Sequence, residues 1–115
     1  MKRAIVLAVV LLAAEPALAQ ETGEDLFADR CAMCHALVGK GQGPNLRGVV
    51  GRRAGSLPEF AYTSALKGSG IVWTEPNLET FITNPGAMVP GTAMPIRVND
   101  AAQRAEIVRY LAGLH

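Results

Sequence analysis

The sequence predicts a small all-α domain of three to five short helices, on three observations. Capping residues stand ahead of three stretches with an apolar face, and clusters of glycine and proline separate those stretches. No run alternates apolar and polar side chains as a half-buried strand would. The most specific group of residues, Cys31-Ala32-Met33-Cys34-His35, sits where the first of these stretches ends.

In chain order, the first segment is expected to lie outside the fold. Lys2 and Arg3 precede an apolar run from Ala4 to Ala14, then the breaker Pro16 and the small-x-small triplet Ala17-Leu18-Ala19. This is the pattern of a secretory leader cleaved after Ala19, and the run is short of the ~20 residues that span a bilayer. The expected division is therefore a signal peptide over residues 1–19 and one domain over residues 20–115. Without Lys2, Arg3 and Glu15 the chain holds nine basic and nine acidic side chains. With no net charge and no like-charge run, nucleic-acid binding is not expected.

The first helix is expected from about Gln20–Thr22 to Cys31. Thr22-Gly23-Glu24-Asp25 has the form of a capping box with Asp25 in place of the usual Glu or Gln, and Leu26 and Phe27 supply an apolar face. Gly23 is either a frayed start or a place where another backbone packs closely. A short helix follows over about Thr63–Lys67, stopped by Gly68 and Gly70. The third is capped by Thr74, carries Pro76 in its first turn and Leu78, Phe81 and Ile82 on one face, and ends at Asn84-Pro85. The stretch from Asn84 to Pro95, with its prolines and glycines, is expected to be a stiff extended loop without regular structure. Asn99 or Asp100 then caps a last helix to about Gly113, with Ile107, Val108, Leu111 and Leu114 on its apolar side.

Two cysteines three apart followed directly by histidine form the attachment pattern of a c-type haem. Each thiol can add across one vinyl group, and the adjacent imidazole then becomes the proximal iron ligand. The competing readings are a zinc half-site, a redox dithiol and a chance match. Zinc takes four nitrogen or sulfur ligands, and the chain has only Cys31, Cys34, His35 and the terminal His115 beside its methionines. A redox dithiol belongs near a βαβ pattern, which is absent from the sequence. A covalently held porphyrin would also staple a domain of 96 residues, a size that buries a modest share of its surface. Pro44 can offer the carbonyl that fixes the other imidazole nitrogen. A thioether suits the remaining axial position, and Met88 or Met94 could supply it; Met33 is too near the cysteines. Tyr62 and Trp73 read either as core or as hydrogen-bonding groups beside the cofactor. Arg47, Arg52 and Arg53 read as a solvated surface or as a source of one arginine beside the propionates.

The chain resembles the class I cytochromes c of the small, soluble, mitochondrial-like monohaem type. The residues that carry the resemblance run in order over residues 22–112. They are the haem motif, Gly43-Pro44-Asn45-Leu46, Gly51-Arg52, Tyr62-Thr63, Gly70-Ile71-Val72-Trp73, and Asn84-Pro85 followed by Pro90-Gly91-Thr92-Ala93-Met94. The resemblance implies a cytochrome c fold with crossed terminal helices around one covalent haem c, Gly23, Phe27, Ile107 and Tyr110 lying at the crossing. It implies thioethers at Cys31 and Cys34, axial ligation by His35 and Met94, and a Pro44 carbonyl that accepts from His35. Arg52, Tyr62, Trp73 and Thr92 match positions that hydrogen-bond the propionates or their waters.

The function so implied is a periplasmic single-electron carrier, not an enzyme, working in a respiratory chain as a monomer without stable membrane insertion. Its donor would be a dehydrogenase or cytochrome reductase, and its acceptor a terminal oxidase or reductase. The alternatives are a haem subunit held permanently in a periplasmic dehydrogenase complex, and a haem enzyme or gas sensor with an open distal site. Three departures from the family pattern stand out: a shorter loop between His35 and Pro44, Leu66 at a commonly polar position, and Gly86, Ala87 and Ala93 where lysines are common. Docking is therefore expected through a mostly apolar face with a thin basic rim.

Overall fold

Helices from the two ends of the domain meet across one glycine. The computed structural model describes residues 1–12 and 21–115, with α1 (Gly23–Arg30), α2 (Ser64–Lys67), α3 (Glu75–Thr83), α4 (Pro85–Met88) and α5 (Ala101–Ala112). Among the described residues there is no β-strand, only an isolated antiparallel bridge between Arg53 and Val72.

Local chemistry sets the helix starts. Thr22, Thr63, Thr74 and Asp100 each accept a hydrogen bond from the backbone N–H three residues on. Around α3 the box closes, because the Asn77 side chain also accepts from the Thr74 N–H at 2.7 Å. At α1 only half of the expected box forms. The Asp25 carboxylate takes the Thr22 hydroxyl proton at 2.9 Å, since its side chain is one methylene shorter than the Glu that normally reaches back to the cap. Of the expected start at Gln20–Thr22, Gln20 lies outside the described residues and Thr22 is the cap.

The expectation of a loop without regular structure from Asn84 to Pro95 is corrected by α4, a single turn within it. Pro85 takes the first helical position, where its missing N–H would have no partner in any case, and Asn84 caps the turn through the Ala87 N–H. Only the remainder of that stretch is loop. Leu114 likewise falls beyond the end of α5, yet it is buried, with its N–H on the Leu111 carbonyl.

Helix α5 packs on α1 and on α3. At the first contact a Cβ on Gly23 would overlap the Glu106 carbonyl oxygen and stand 2.8 Å from the Tyr110 Cβ. Phe27 and Tyr110 stack beside it with ring centroids 5.4 Å apart. The close-packing alternative for Gly23 is thus the one realised. Leu26, Phe27, Leu78, Phe81, Ile82, Ile107, Val108 and Leu111 form the core with Val49, Trp73, Val89 and Val98.

The described apolar residues of the expected leader, Ile5 to Leu12 among them, are exposed and belong to no helix or strand. The expected cleavage triplet Ala17-Leu18-Ala19 lies outside the described residues. No helix of the described residues is long and apolar enough to cross a membrane.

Gly23→Ala should destabilise the domain. Alanine gains at most about 1 kcal/mol of helix propensity, whereas overpacking against a backbone carbonyl costs about 1–3 kcal/mol. The melting midpoint should fall by several degrees, at about 4–8 °C per kcal/mol for a domain of this size. Thermal unfolding followed by circular dichroism checks this; an unchanged or raised midpoint would show that the helices separate at no cost.

Candidate cofactor site

The core is built around a hollow. A cavity of about 390 Å³ opens among Leu46, Val49, Leu66, Leu78, Phe81, Ile82, Ile107 and Leu111, within the ~300–1,000 Å³ range of small-molecule and cofactor sites. Two separate segments bring the sulfur-bearing groups and the imidazole to it: Arg30 to Pro44 on one hand, and Thr92 to Ile96 on the other. The site residues that the resemblance implies all line this cavity: Cys31, Cys34, His35, Pro44, Arg52, Tyr62, Trp73, Thr92 and Met94. Met88 does not line it, and packs half-buried against the core instead. Met33, between the two cysteines, points to solvent and is 87 % exposed.

Helix α1 delivers the cysteines. The Cys31 and Ala32 N–H groups both donate to the Phe27 carbonyl, and the Cys34 and His35 N–H groups to that of Cys31, so the motif continues the helix as tight turns. The chain then loops back, and the Gly43 N–H closes on the Cys34 carbonyl at 2.9 Å. That closure brings Pro44 beside the imidazole, and His35 Nδ1 lies 2.8 Å from the Pro44 carbonyl oxygen. A carbonyl only accepts, so Nδ1 carries the proton and Nε2 keeps its lone pair. Burial pushes the His35 pKa down, partly opposed by the bond to Pro44, which leaves the neutral imidazole that metals bind. Gly43 has no alternative here: a Cβ would stand 2.5 Å from Cε1 and 2.7 Å from Nδ1 of the ring.

Burial raises the Cys31 thiol to about 11, with Arg30 pulling it down and Cys34 pushing it further up. Dithiol catalysts work through thiolates of depressed pKa, so this electrostatic setting disfavours the redox-dithiol reading. The donor set is two thiols, one imidazole and one thioether, and no group of three or more His, Cys, Asp or Glu residues assembles among the described residues. Those donors do not make a zinc site, but they are the set a covalent haem uses.

The polar lining fits the same group. Arg30 and Arg52 are the charged residues on the cavity wall, and no carboxylate joins them. Trp73 is buried, only 6 % exposed, and its indole N–H makes no hydrogen bond among the described residues. No unpaired side-chain polar atom there is sealed off, and Trp73 lines the cavity, so this N–H is available as a donor to an acidic group held there. The Tyr62 hydroxyl accepts from the Leu57 N–H at 3.3 Å and keeps its own proton to donate. The three arginines divide as the alternatives allowed: Arg47 and Arg53 are exposed, and Arg52 is half-buried.

Arg52 also has a structural task. Its guanidinium donates to the carbonyls of Asn45 at 2.8 Å and Arg47 at 3.1 Å, and so holds the segment that follows Pro44. Asn45, part of the Gly43-Pro44-Asn45-Leu46 motif but without a role assigned from sequence, donates to the Leu37 carbonyl through Nδ2 and accepts from the Arg47 N–H through Oδ1. A Pro-Asn pair after glycine is a turn signature whose side chain bonds its own backbone, so the signal was available. Arg104, on α5, carried no such signal.

Comparison with known proteins places the site in a family. The family model described as Cytochrome c matches residues 20–115. Cytochrome c of Tetrahymena pyriformis is 44 % identical over 91 residues, covering 77 % of this chain and 83 % of that protein. Cytochrome c2 of Rhodomicrobium vannielii is 39 % identical over 97 residues, covering 81 % and 77 %. The solved structure of cytochrome cH from Methylobacterium extorquens superposes with a TM-score of 0.74 at 38 % identity, covering 79 % of this chain and 94 % of that one. The chain therefore belongs to the cytochrome c family, with the cytochrome c fold and one covalently attached haem c.

Proposed function

We propose that the protein is a periplasmic single-electron carrier whose haem is bound through Cys31 and Cys34 and ligated by His35 and Met94. The observation that carries this reading is that Met94 shares a cavity with both cysteines and His35, while Met88 does not. When bound, the haem supplies an iron that alternates between ferrous and ferric states. The residues of this chain do the rest. Pro44 holds the His35 ring through Nδ1, and so aims Nε2 and raises its basicity. A Met94 thioether as second ligand raises the potential above that of a bis-histidine site. With His35 and Met94 both holding the iron, the chain would leave no open coordination position for a substrate, which favours electron exchange over catalysis. The aliphatic and aromatic lining excludes water and limits reorganisation around the changing charge. Arg52, Tyr62, Trp73 and Thr92, which line the cavity, would hold the propionates.

Export rests on the leader over residues 1–19, with Lys2, Arg3, the apolar run and the Ala17-Leu18-Ala19 triplet. The partners are redox proteins, a dehydrogenase or cytochrome reductase on one side and a terminal oxidase or reductase on the other, met by a monomer. Near the cavity mouth Ile96 is 42 % exposed, and Ala93 and Pro95 are exposed with it. Such a rim supports docking by apolar contact, with charges adjusting mainly the on-rate.

Met94→Ala should abolish the weak red absorption band of a ferric iron–thioether bond, lower the potential and let the reduced protein bind carbon monoxide. Met88→Ala should leave all three nearly unchanged. Visible spectra, voltammetry and carbon monoxide titration of the two variants check this; the reverse pattern would overturn the ligand assignment.

Electron self-exchange between copies should change only about three-fold between 0.01 M and 0.15 M salt, although the Debye length falls from roughly 30 Å to about 8 Å. NMR line broadening in partly reduced samples measures the rate. A hundredfold change in either direction would reveal a concentrated patch of one sign around the mouth of the cavity.

A further inference from the structure

The segment that carries Met94 is held only at its ends. Among the described residues, no backbone N–H or carbonyl of residues 93–97 makes a hydrogen bond, and Pro95 has no N–H to offer. On the upstream side the Thr92 N–H donates to the Val89 carbonyl at 3.0 Å. On the downstream side Val98 is gripped twice. Its N–H donates to the Ile82 carbonyl at the end of α3 at 2.8 Å, and its carbonyl accepts from Arg104 Nη1 on α5, also at 2.8 Å.

Val98 is buried at 2 % exposure, whereas Ala93, Pro95, Ile96 and Arg97 are exposed. Arg104 is half-buried and takes part in no ion pair among the described residues, where Arg109–Glu106 is the only one. Its guanidinium is committed to a backbone carbonyl, a charge-assisted bond of the stronger kind. A segment with few hydrogen bonds of its own opens locally, at a free energy set by its anchors and not by global unfolding.

We infer that Arg104 is a positioning residue for Met94: from helix α5 it clamps the Val98 carbonyl and so sets how often the thioether leaves the iron. The inference rests on the proposed Met94 ligation. Arg104 does not line the cavity, and acts through the three residues of unbonded chain between Met94 and Val98.

Imidazole is the probe, because it adds to the ferric protein only when the axial position is vacated. At saturating imidazole the uptake rate reads the departure of the native ligand. Arg104→Leu, which keeps the apolar stem and removes the guanidinium, should raise that rate roughly tenfold or more, the factor that one charge-assisted hydrogen bond is worth. It should also speed hydrogen exchange at the Val98 N–H. Arg104→Lys, with a single-point donor and the charge retained, should recover part of the slow rate and serves as the reporter if the leucine variant does not fold.

Gly23→Ala is the control, since it weakens the other face of α5 without touching Val98. It should accelerate uptake less than about threefold at an equal or greater loss of melting temperature. Arg104→Leu within about twofold of the parent rate, or Gly23→Ala matching it at equal stability, would overturn the clamp. Met94→Ala separates the two readings. If its imidazole uptake equals that of the parent, the ligation assignment fails, whatever Arg104 does.

Discussion

The cavity at the centre of the domain constrains everything around it. A dry apolar void of about 390 Å³ would cost about 9 kcal/mol at ~24 cal/mol per Å³, as much as the whole stability of a typical domain, ~5–15 kcal/mol. The walls of this hollow are the core itself: Val49, Trp73, Leu78, Phe81, Ile82, Ile107 and Leu111 are buried and line it at once. Filling it with a covalently held porphyrin completes the packing of five short helices, one of eight residues, one of nine and two of only four. Such helices are marginal by themselves and depend on packing for their stability.

The same constraint explains why the loops are so strongly tied. The Pro44 carbonyl is useful only if its place is fixed, and three side chains fix it. Arg52 holds the carbonyls of Asn45 and Arg47, Asn45 holds Leu37 and Arg47, and Arg47 reaches the carbonyls of Leu37 and His115. With the Gly48 N–H on the Leu114 carbonyl, the end of the chain is bound to the segment behind His35. The Met94 side is built differently, with an unbonded stretch stretched between α4 and the Val98 anchor. A fixed imidazole and a tethered thioether divide the work. On the proposed ligation, the first would set ligand basicity and the second access to the iron.

An electron carrier gains from this division because its chemistry asks for little movement. Interiors are close-packed and transmit strain, so a cofactor enclosed by core residues sees nearly the same surroundings in both oxidation states. The neutral charge balance of residues 20–115 and the apolar residues beside Met94 extend the same economy to the surface. A face without a dense charge patch carries little electrostatic specificity, and favours contact made by shape and apolar area.

Helix caps act within three or four residues, and that is why the sequence alone located them. Thr22, Thr63, Thr74 and Asp100 were legible as starts because each side chain bonds a nearby N–H, and Gly68 and Gly113 were legible as stops. The haem motif was legible for the same reason, since the thiols and the imidazole lie within five residues. The turn at Pro85–Met88 was not, because proline forbids a helix interior but suits a first position, and composition does not tell the two apart. Nor could sequence by itself show that Met94 and not Met88 lines the cavity, or decide whether Gly23 was a frayed end or a close contact. Those choices depend on which chain segments meet. Met94 lines the cavity from a segment that ends at Val98, which Ile82 and Arg104 hold from two helices, and Gly23 is needed because the Glu106 backbone arrives at its surface from the far end of the chain. Bonds within one turn are determined by sequence; contacts between distant segments are decided only when the core closes.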